Sequence, residues 1–235
     1  MIQIVVPMAG RGSRFKSAGY LNPKPMIEIN GLPMIEWALK SFNGLSNPHE
    51  FFFIAQKQDL DRGLIKILEN RGTVIPLKDT TEGAVNSVLA AENIINGSKP
   101  LLIANCDQFL NWDINNFIAK SQSYDASLVV FKSRNEYHSY ILQSDRKIIL
   151  IEEKKRISDL AVGGIYFCQR SLDFFKFAKT LISKDLRVGG EFYISPVFNE
   201  MIIANMTLTS FEVPANLIHM LGTPEEVRHF ENTYN

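Results

Sequence analysis

The sequence predicts an α/β fold: a mixed, mostly parallel central sheet with helices on both faces and a small antiparallel extension. Three observations carry this. Through the first 125 residues, short apolar runs rich in β-branched and aromatic residues alternate with segments of helical spacing, the pattern of strands joined by crossover helices. The apolar runs are continuous rather than alternating, as strands buried on both faces are. Beyond residue 125, strands follow one another with short turns, which suits antiparallel or mixed pairing.

IQIVVP (2–7) is the first strand. MIEWALKSF (34–42) puts Met34, Ile35, Ala38, Leu39 and Phe42 on one helical face. FFFIA (51–55) is a buried strand, LDRGLIKILEN (60–70) a helix broken by Arg71-Gly72, and TVIPL (73–77) a strand. EGAVNSVLAAENII (82–95) is a helix with small residues along one face, and PLLIAN (100–105) a buried strand. WDINNFIAKSQ (112–122) starts a helix with Asp113 as N-cap. ASLVVFKS (126–133), YILQSD (140–145), KIILIEEKK (147–155) and AVGGIYFC (161–168) are strands, with a hairpin turn at 144–147. Helices are expected at about 171–183 and 192–204, and strands near 207–213 and 216–221. A last helix begins at Thr223-Pro224-Glu225, with Thr223 as N-cap and Pro224 at the first helical position. No repeat, low-complexity tract or linker interrupts this order, so 1–235 reads as a single domain.

Hydrophobic residues make up 46% of the 235, enough for a sizeable core. Lys+Arg and Asp+Glu number 25 each, and a zero net charge gives no reason to expect nucleic acid or an anionic membrane as partner. Any phosphate site must therefore be local. Cys106 and Cys168 lie in apolar runs and make neither a disulfide framework nor a zinc spacing. They read as buried free thiols in a reducing compartment. His49, His138, His219 and His229 lack ligand spacing. No apolar stretch spans a membrane and no secretory signal is evident, so a cytoplasmic protein is expected.

Ligands of such sheets bind at the carboxyl ends of the strands. Two segments fall there: Ala9-Gly10-Arg11-Gly12-Ser13-Arg14, and Cys106-Asp107-Gln108. The first is neither a Walker A loop nor a dinucleotide fingerprint, because Phe15 stands where both need glycine. It does carry Arg11 and Arg14, followed by Lys24 held between two prolines that stiffen its backbone. Three cations with open glycine amides suit a triphosphate of about four negative charges. By itself the loop is equally consistent with a solvated basic turn.

The combination Ala-Gly-Arg-Gly-Ser-Arg-Phe, then Pro-Lys-Pro, then IEINGLPMI (27–35) resembles the nucleotidyltransferase superfamily, which includes sugar-1-phosphate nucleotidyltransferases and cytidylyltransferases. TEGAVNSVLAA (81–91), LLIANCDQF (101–109), IEEKKRISDLAVGGIYFC (151–168), GGEFYISPVFNEMI (189–202) and HMLGTPEEV (219–227) extend the likeness along nearly the whole chain. The resemblance implies a Rossmann-like sheet with 1–125 mainly binding nucleotide and 126–235 mainly binding acceptor. It implies catalytic Arg14 on the β,γ-phosphates and catalytic Lys24 between the α-phosphate and the attacking phosphate. Met8, Ala9, Gly10, Arg11, Gly12, Ser13, Glu82, Gly83 and Asn105 would bind the nucleotide. Glu153, Lys154, Gly164 and Glu191 would bind the acceptor, and Asp107 would hold Mg²⁺. Lys155 replaces a usual proline, and Met220 stands where many relatives carry a second metal-binding aspartate, so no second ligand is assigned.

The implied reaction is attack of an acceptor phosphate oxygen on the α-phosphorus of a nucleoside triphosphate, with pyrophosphate leaving. The likeness is strongest to bacterial enzymes of surface-polysaccharide and capsule synthesis, including cytidylyltransferases acting on phosphoglutamine. It points to CTP as donor and a small phosphorylated acceptor. Sugar-1-phosphate transfer from UTP, dTTP or GTP is the alternative. Two other classes are a glycosyltransferase, for which the second aspartate of Asp-x-Asp is missing after Asp107, and a non-catalytic nucleotide sensor. Oligomeric state is not assigned.

Overall fold

The computed structural model describes residues 1–234. In chain order its strands are β1 (Ile2–Pro7), β2 (Glu28–Ile29), β3 (Leu32–Pro33), β4 (His49–Gln56), β5 (Thr73–Leu77), β6 (Leu101–Ala104), β7 (Gln108–Leu110), β8 (Ala126–Lys132), β9 (Tyr140–Ser144), β10 (Lys147–Glu152), β11 (Leu160–Cys168), β12 (Leu208–Glu212) and β13 (Ile218–Met220). The helices are α1 (Ser13–Ser17), α2 (Met34–Lys40), α3 (Lys57–Asp59), α4 (Ile65–Leu68), α5 (Ala84–Leu89), α6 (Ile114–Ser121), α7 (Ser171–Ser183), α8 (Val197–Ile203) and α9 (Pro224–Thr233).

Nine strands form one sheet in the order β5-β4-β1-β6-β11-β8-β12-β10-β9. β5, β4, β1 and β6 are parallel; β11 runs against both β6 and β8. β12 lies parallel to β8, and the β9–β10 hairpin forms the antiparallel edge. The expected mixed α/β sheet is observed, but it is not mostly parallel: antiparallel pairing takes a larger part than the small extension expected, because β11 enters between β6 and β8 and runs against both. The hairpin turn expected at 144–147 is also present: Asp145 and Arg146 both take positive φ, the geometry a two-residue turn between twisted strands requires.

Alternation along β1 explains its continuous apolar run. Val5 faces a core with Val85, Val88, Phe174 and Phe198, under α5, α7 and α8. Ile4 and Val6 face a second core with Ile35, Leu39, Leu68 and Phe117, under α2, α4 and α6. A third cluster (Phe15, Ile27, Ile29, Trp37, Phe109, Leu221, Val227, Phe230) joins the glycine-rich loop to β7 and α9.

Three expected helices are shorter than their patterns. In 60–70, Gly63 takes φ 112°, so Leu60–Leu64 is a wide π-type turn and only Ile65–Leu68 is α-helical. In 82–95, Gly83 at φ 149° delays the start to Ala84, and residues beyond Leu89 continue mostly as i→i−3 turns. In 192–204 the helix starts only at Val197, after Pro196, whose ring disfavours helical backbone at the residue before it; upstream, the Phe192 amide donates to the Glu82 carbonyl at 2.9 Å. The pattern also hid a hairpin. Asn30-Gly31, both at positive φ, turns β2 into β3.

Candidate active site

The glycine-rich loop leaves β1 at Met8 and Ala9, which are buried, and opens at Gly10 and Arg11, which are exposed. The Gln56 side chain, at the end of β4, donates to the Ala9 carbonyl at 2.7 Å and the Gly10 carbonyl at 3.3 Å. That ties the loop's carbonyls back to the sheet. Among the described residues, the amides of Gly10, Arg11 and Gly12 donate to no protein acceptor. Free backbone N–H groups beside a positive-φ glycine form a concave anion cradle. Gly12, at φ 60°, precedes α1, and a side chain there would crowd Lys24 Cβ at 3.3 Å.

Phe15, the residue that excluded both common phosphate loops, is the loop's anchor. It is buried and packs edge-on to Tyr20 at 5.2 Å, and the Lys24 ammonium lies 5.8 Å from its ring centre. Lys24 opens a short 3₁₀ turn, Lys24–Met26, behind Pro23. Its ammonium donates a short hydrogen bond to Asp107 Oδ2, with about a fifth of each side chain exposed. Burial opposes the Lys24 charge, but the Asp107 carboxylate outweighs it and holds the ammonium above its ordinary range.

Asp107 follows β6 and is fixed from an unexpected direction. β7 pairs antiparallel with β13, Gln108 opposite Met220, and the Leu221 amide donates to the Asp107 carbonyl at 2.8 Å. This brings Gly222 and Glu226 against Asp107. A Cβ on Gly222 would lie 3.1 Å from Asp107 Oδ2 and 3.4 Å from Glu226 Oε2. Burial raises Glu226 above the usual carboxylate range, and the Asp107 charge adds to this. The donor chemistry fits a hard divalent cation, since Asp107 offers hard carboxylate oxygens and borders a cavity. No group of three or more His, Cys, Asp or Glu side chains gathers for a metal among the described residues. Mg²⁺ suits that, because it keeps water and phosphate in its shell and takes few protein carboxylates.

A cavity of about 610 Å³ opens beside this pair, walled by Arg14, Asn105, Asp107, Glu153 and Gly164 among the sequence-derived candidates. On its far side Glu153 Oε2 accepts hydrogen bonds from Ser139 and, at 2.6 Å, from Ser195. Gly164, at φ 69°, sits in a bulge of β11; a side chain there would collide with the amides of Asn105 and Gln108. Lys154 Nζ hydrogen-bonds the Tyr193 hydroxyl and lies 4.2 Å from the centre of that ring. Burial, then the Glu191 and Glu153 carboxylates, keeps the Tyr193 hydroxyl protonated well above its ordinary range.

Other candidates stand apart from the cavity. Glu82 is exposed and pairs with Arg187 at 2.8 Å. Gly83 packs on the Phe192 backbone, so a side chain there would strike protein before any ligand. Glu191 is exposed in a turn whose backbone pairs with Val188. Ser13 and Arg11 are exposed on the loop. Sequence reasoning missed Gln56, Ser139, Tyr193, Ser195 and Glu226. Only Glu226 left a local trace: in Thr-Pro-Glu-Glu it holds the third helical position, where a glutamate reaches back to the cap. A second cavity of about 700 Å³ lies behind β13 and α9 and contains none of the predicted phosphate-binding residues.

A mixed α/β sheet, an open cationic glycine turn at the end of its first strand, and a lysine–aspartate pair at the next strand end define a nucleotide-handling transferase domain. The chain belongs to the MobA-like NTP transferase domain family, whose model matches residues 4–162. It is 24% identical over 204 residues to the bifunctional protein GlmU of Methanococcus aeolicus, covering 86% of this chain and 47% of that one. The chain thus spans about half the length of the curated relatives it matches. Among solved structures it resembles a nucleoside-diphosphate-sugar pyrophosphorylase from Vibrio cholerae, with TM-score 0.86 and 27% identity, covering 98% of this chain and all of that one. The inositol-1-phosphate CTP transferase of T. maritima shares the fold, with TM-score 0.73 and 18% identity over 96% of this chain and 90% of its own.

Proposed function

We propose that this protein transfers a nucleotidyl group from a nucleoside triphosphate to a small phosphorylated acceptor, releasing pyrophosphate, in the making of surface-polysaccharide or capsule precursors. CTP is the favoured donor, on the likeness of the loop and of Ala-Asn-x-Asp-Gln to capsule cytidylyltransferases. The observation that carries the reading is the Lys24–Asp107 pair at the cavity edge, beside Arg14 and the free amides of Gly10–Gly12.

The attacking acceptor oxygen is an anion at neutral pH, so the site needs no general base. One P–O bond forms at the α-phosphorus as the bond to the pyrophosphate leaving group breaks. The barrier is the approach of two anions, and fixed positive charge and alignment lower it. Arg14 takes the β,γ-phosphates and the loop amides hold them close. Lys24, on its proline-stiffened turn, sits between the α-phosphate and the incoming oxygen. Lys154 holds the acceptor phosphate once it leaves Tyr193, and Glu153, fixed by two serines, orients the acceptor's polar groups. Asp107 would hold Mg²⁺, which when bound would supply positive charge against the phosphates.

A second reading is transfer to a sugar 1-phosphate from UTP, dTTP or GTP, favoured by the likeness to the V. cholerae nucleoside-diphosphate-sugar pyrophosphorylase over 98% of this chain. Pyrophosphate release measured with CTP, UTP, dTTP and GTP against sugar and non-sugar phosphates separates the two. CTP turnover with a non-sugar phosphate supports the first reading, and a preference for another triphosphate with a sugar 1-phosphate replaces it. No pyrophosphate with any pair would sink both.

A further inference from the structure

The superfamily pattern leaves Met220 where a second metal-binding aspartate is usual, and a thioether is a poor ligand for a hard cation. The structure supplies another carboxylate. We propose that Glu226 is the second protein carboxylate of the cation site, paired with Asp107 across the gap over Gly222. The inference rests on the cation role given to Asp107 above.

Three observations carry it. First, the gap is defined by two carboxylate oxygens: the position of an absent Gly222 side chain is 3.1 Å from Asp107 Oδ2 and 3.4 Å from Glu226 Oε2. Second, both side chains border the cavity that also contains Arg14, so an ion placed between them would meet a triphosphate held by that arginine. Third, Glu226 is positioned before any ion arrives. Its amide donates to the Thr223 hydroxyl at 3.2 Å, the cap that opens α9. The Leu221–Asp107 backbone bond holds this turn on the β6–β7 connection. The same Asp107 Oδ2 receives the Lys24 ammonium, so Lys24 also borders the gap.

Mn²⁺ is the probe, with free ion read by electron paramagnetic resonance, alone and with inorganic tripolyphosphate. Wild type should bind Mn²⁺. Asp107→Asn should lose it, and Glu226→Gln should weaken it about tenfold or more, a loss typical of perturbing a metal's ligand environment. Gly222→Ala should weaken it likewise, since the methyl fills the gap at a position free of positive-φ strain. Glu225→Gln, one residue away, should bind as wild type. Glutamine preserves the capping role at position 226, and thermal melts verify that each variant is folded. Unchanged affinity in Glu226→Gln beside loss in Asp107→Asn overturns this inference alone. Unchanged affinity in Asp107→Asn, or no binding by wild type under either condition, overturns the Asp107 role with it.

Discussion

Lys24 owes its position to its neighbours. Prolines fix its backbone, the missing Gly12 side chain admits its stem, Phe15 lies beneath its ammonium, and Asp107 receives it. Only about a fifth of each side chain of Lys24–Asp107 is exposed, so removing one partner leaves the other charge largely covered, which costs some stability. The larger loss should fall on chemistry. Lys24→Ala and Asp107→Ala are each expected to cut turnover about 10²- to 10³-fold, the usual cost of removing one stabilising group from such a site, with far-ultraviolet circular dichroism unchanged. Pyrophosphate release near the wild-type rate from either variant contradicts the assignment. The two thiols make a separate prediction. Cys106 and Cys168 are free and buried; burial pushes Cys106 up to about 12, with the Asp107 charge adding, and pushes Cys168 up as well. Neither should react with a thiol reagent at pH 8 until the protein is unfolded. The sign for stability follows: in the unfolded chain these thiols ionise near pH 9, while in the fold they stay protonated. Stability should fall as pH rises above 9, and Cys168→Ala should flatten that decline in urea melts; an identical slope would remove the thiol contribution.

Local sequence and tertiary contact divide the control of the elements. The caps are local: Asp113 accepts the Asn115 amide and Thr223 accepts the Glu226 amide, both legible as short polar residues before a helical pattern. Thr223→Ala should cost about 1 kcal/mol and lower the melting temperature about 2–4 °C for a chain of this size. Because the same turn positions Glu226, metal binding should weaken with it. Gly83 is the opposite case. Its φ of 149° and its contact with the Phe192 backbone join α5 to the 191–193 segment, together with the Phe192–Glu82 and Val85–Phe192 hydrogen bonds. A helical pattern running through 82–95 cannot report that clash, since its partner lies more than a hundred residues away. Gly83→Ala should destabilise by at least about 2 kcal/mol through strain and overpacking; a melt within 1 °C of wild type would show that the two segments part freely.

At the scale of the molecule, the sheet interleaves both halves of the chain. β11, from the second half, closes the open edge of β6 by pairing Ile165 with Ala104 through to Cys168 with Leu101, and β8 pairs in turn with β11. We infer that 1–235 unfolds as one unit. A fragment 1–125 would expose the β6 edge and the apolar face that α7 and α8 cover, and it should aggregate rather than fold; a soluble fragment with a cooperative melt would divide the domain at that point. The sequence by itself determined the order of the principal strands and helices, the turn at 144–147 and the two caps, and it put Gly10, Arg11, Gly12, Arg14 and Lys24 on one short segment after β1, because each depends on neighbours within about one turn or one strand. The tertiary structure alone decided that Lys24 meets Asp107 across 83 residues, that Ser139 and Ser195 fix Glu153, and that β13 brings Gly222 and Glu226 to Asp107. Those contacts follow from strand order and register, and a periodic apolar pattern specifies which face of a strand is buried without naming the strand beside it.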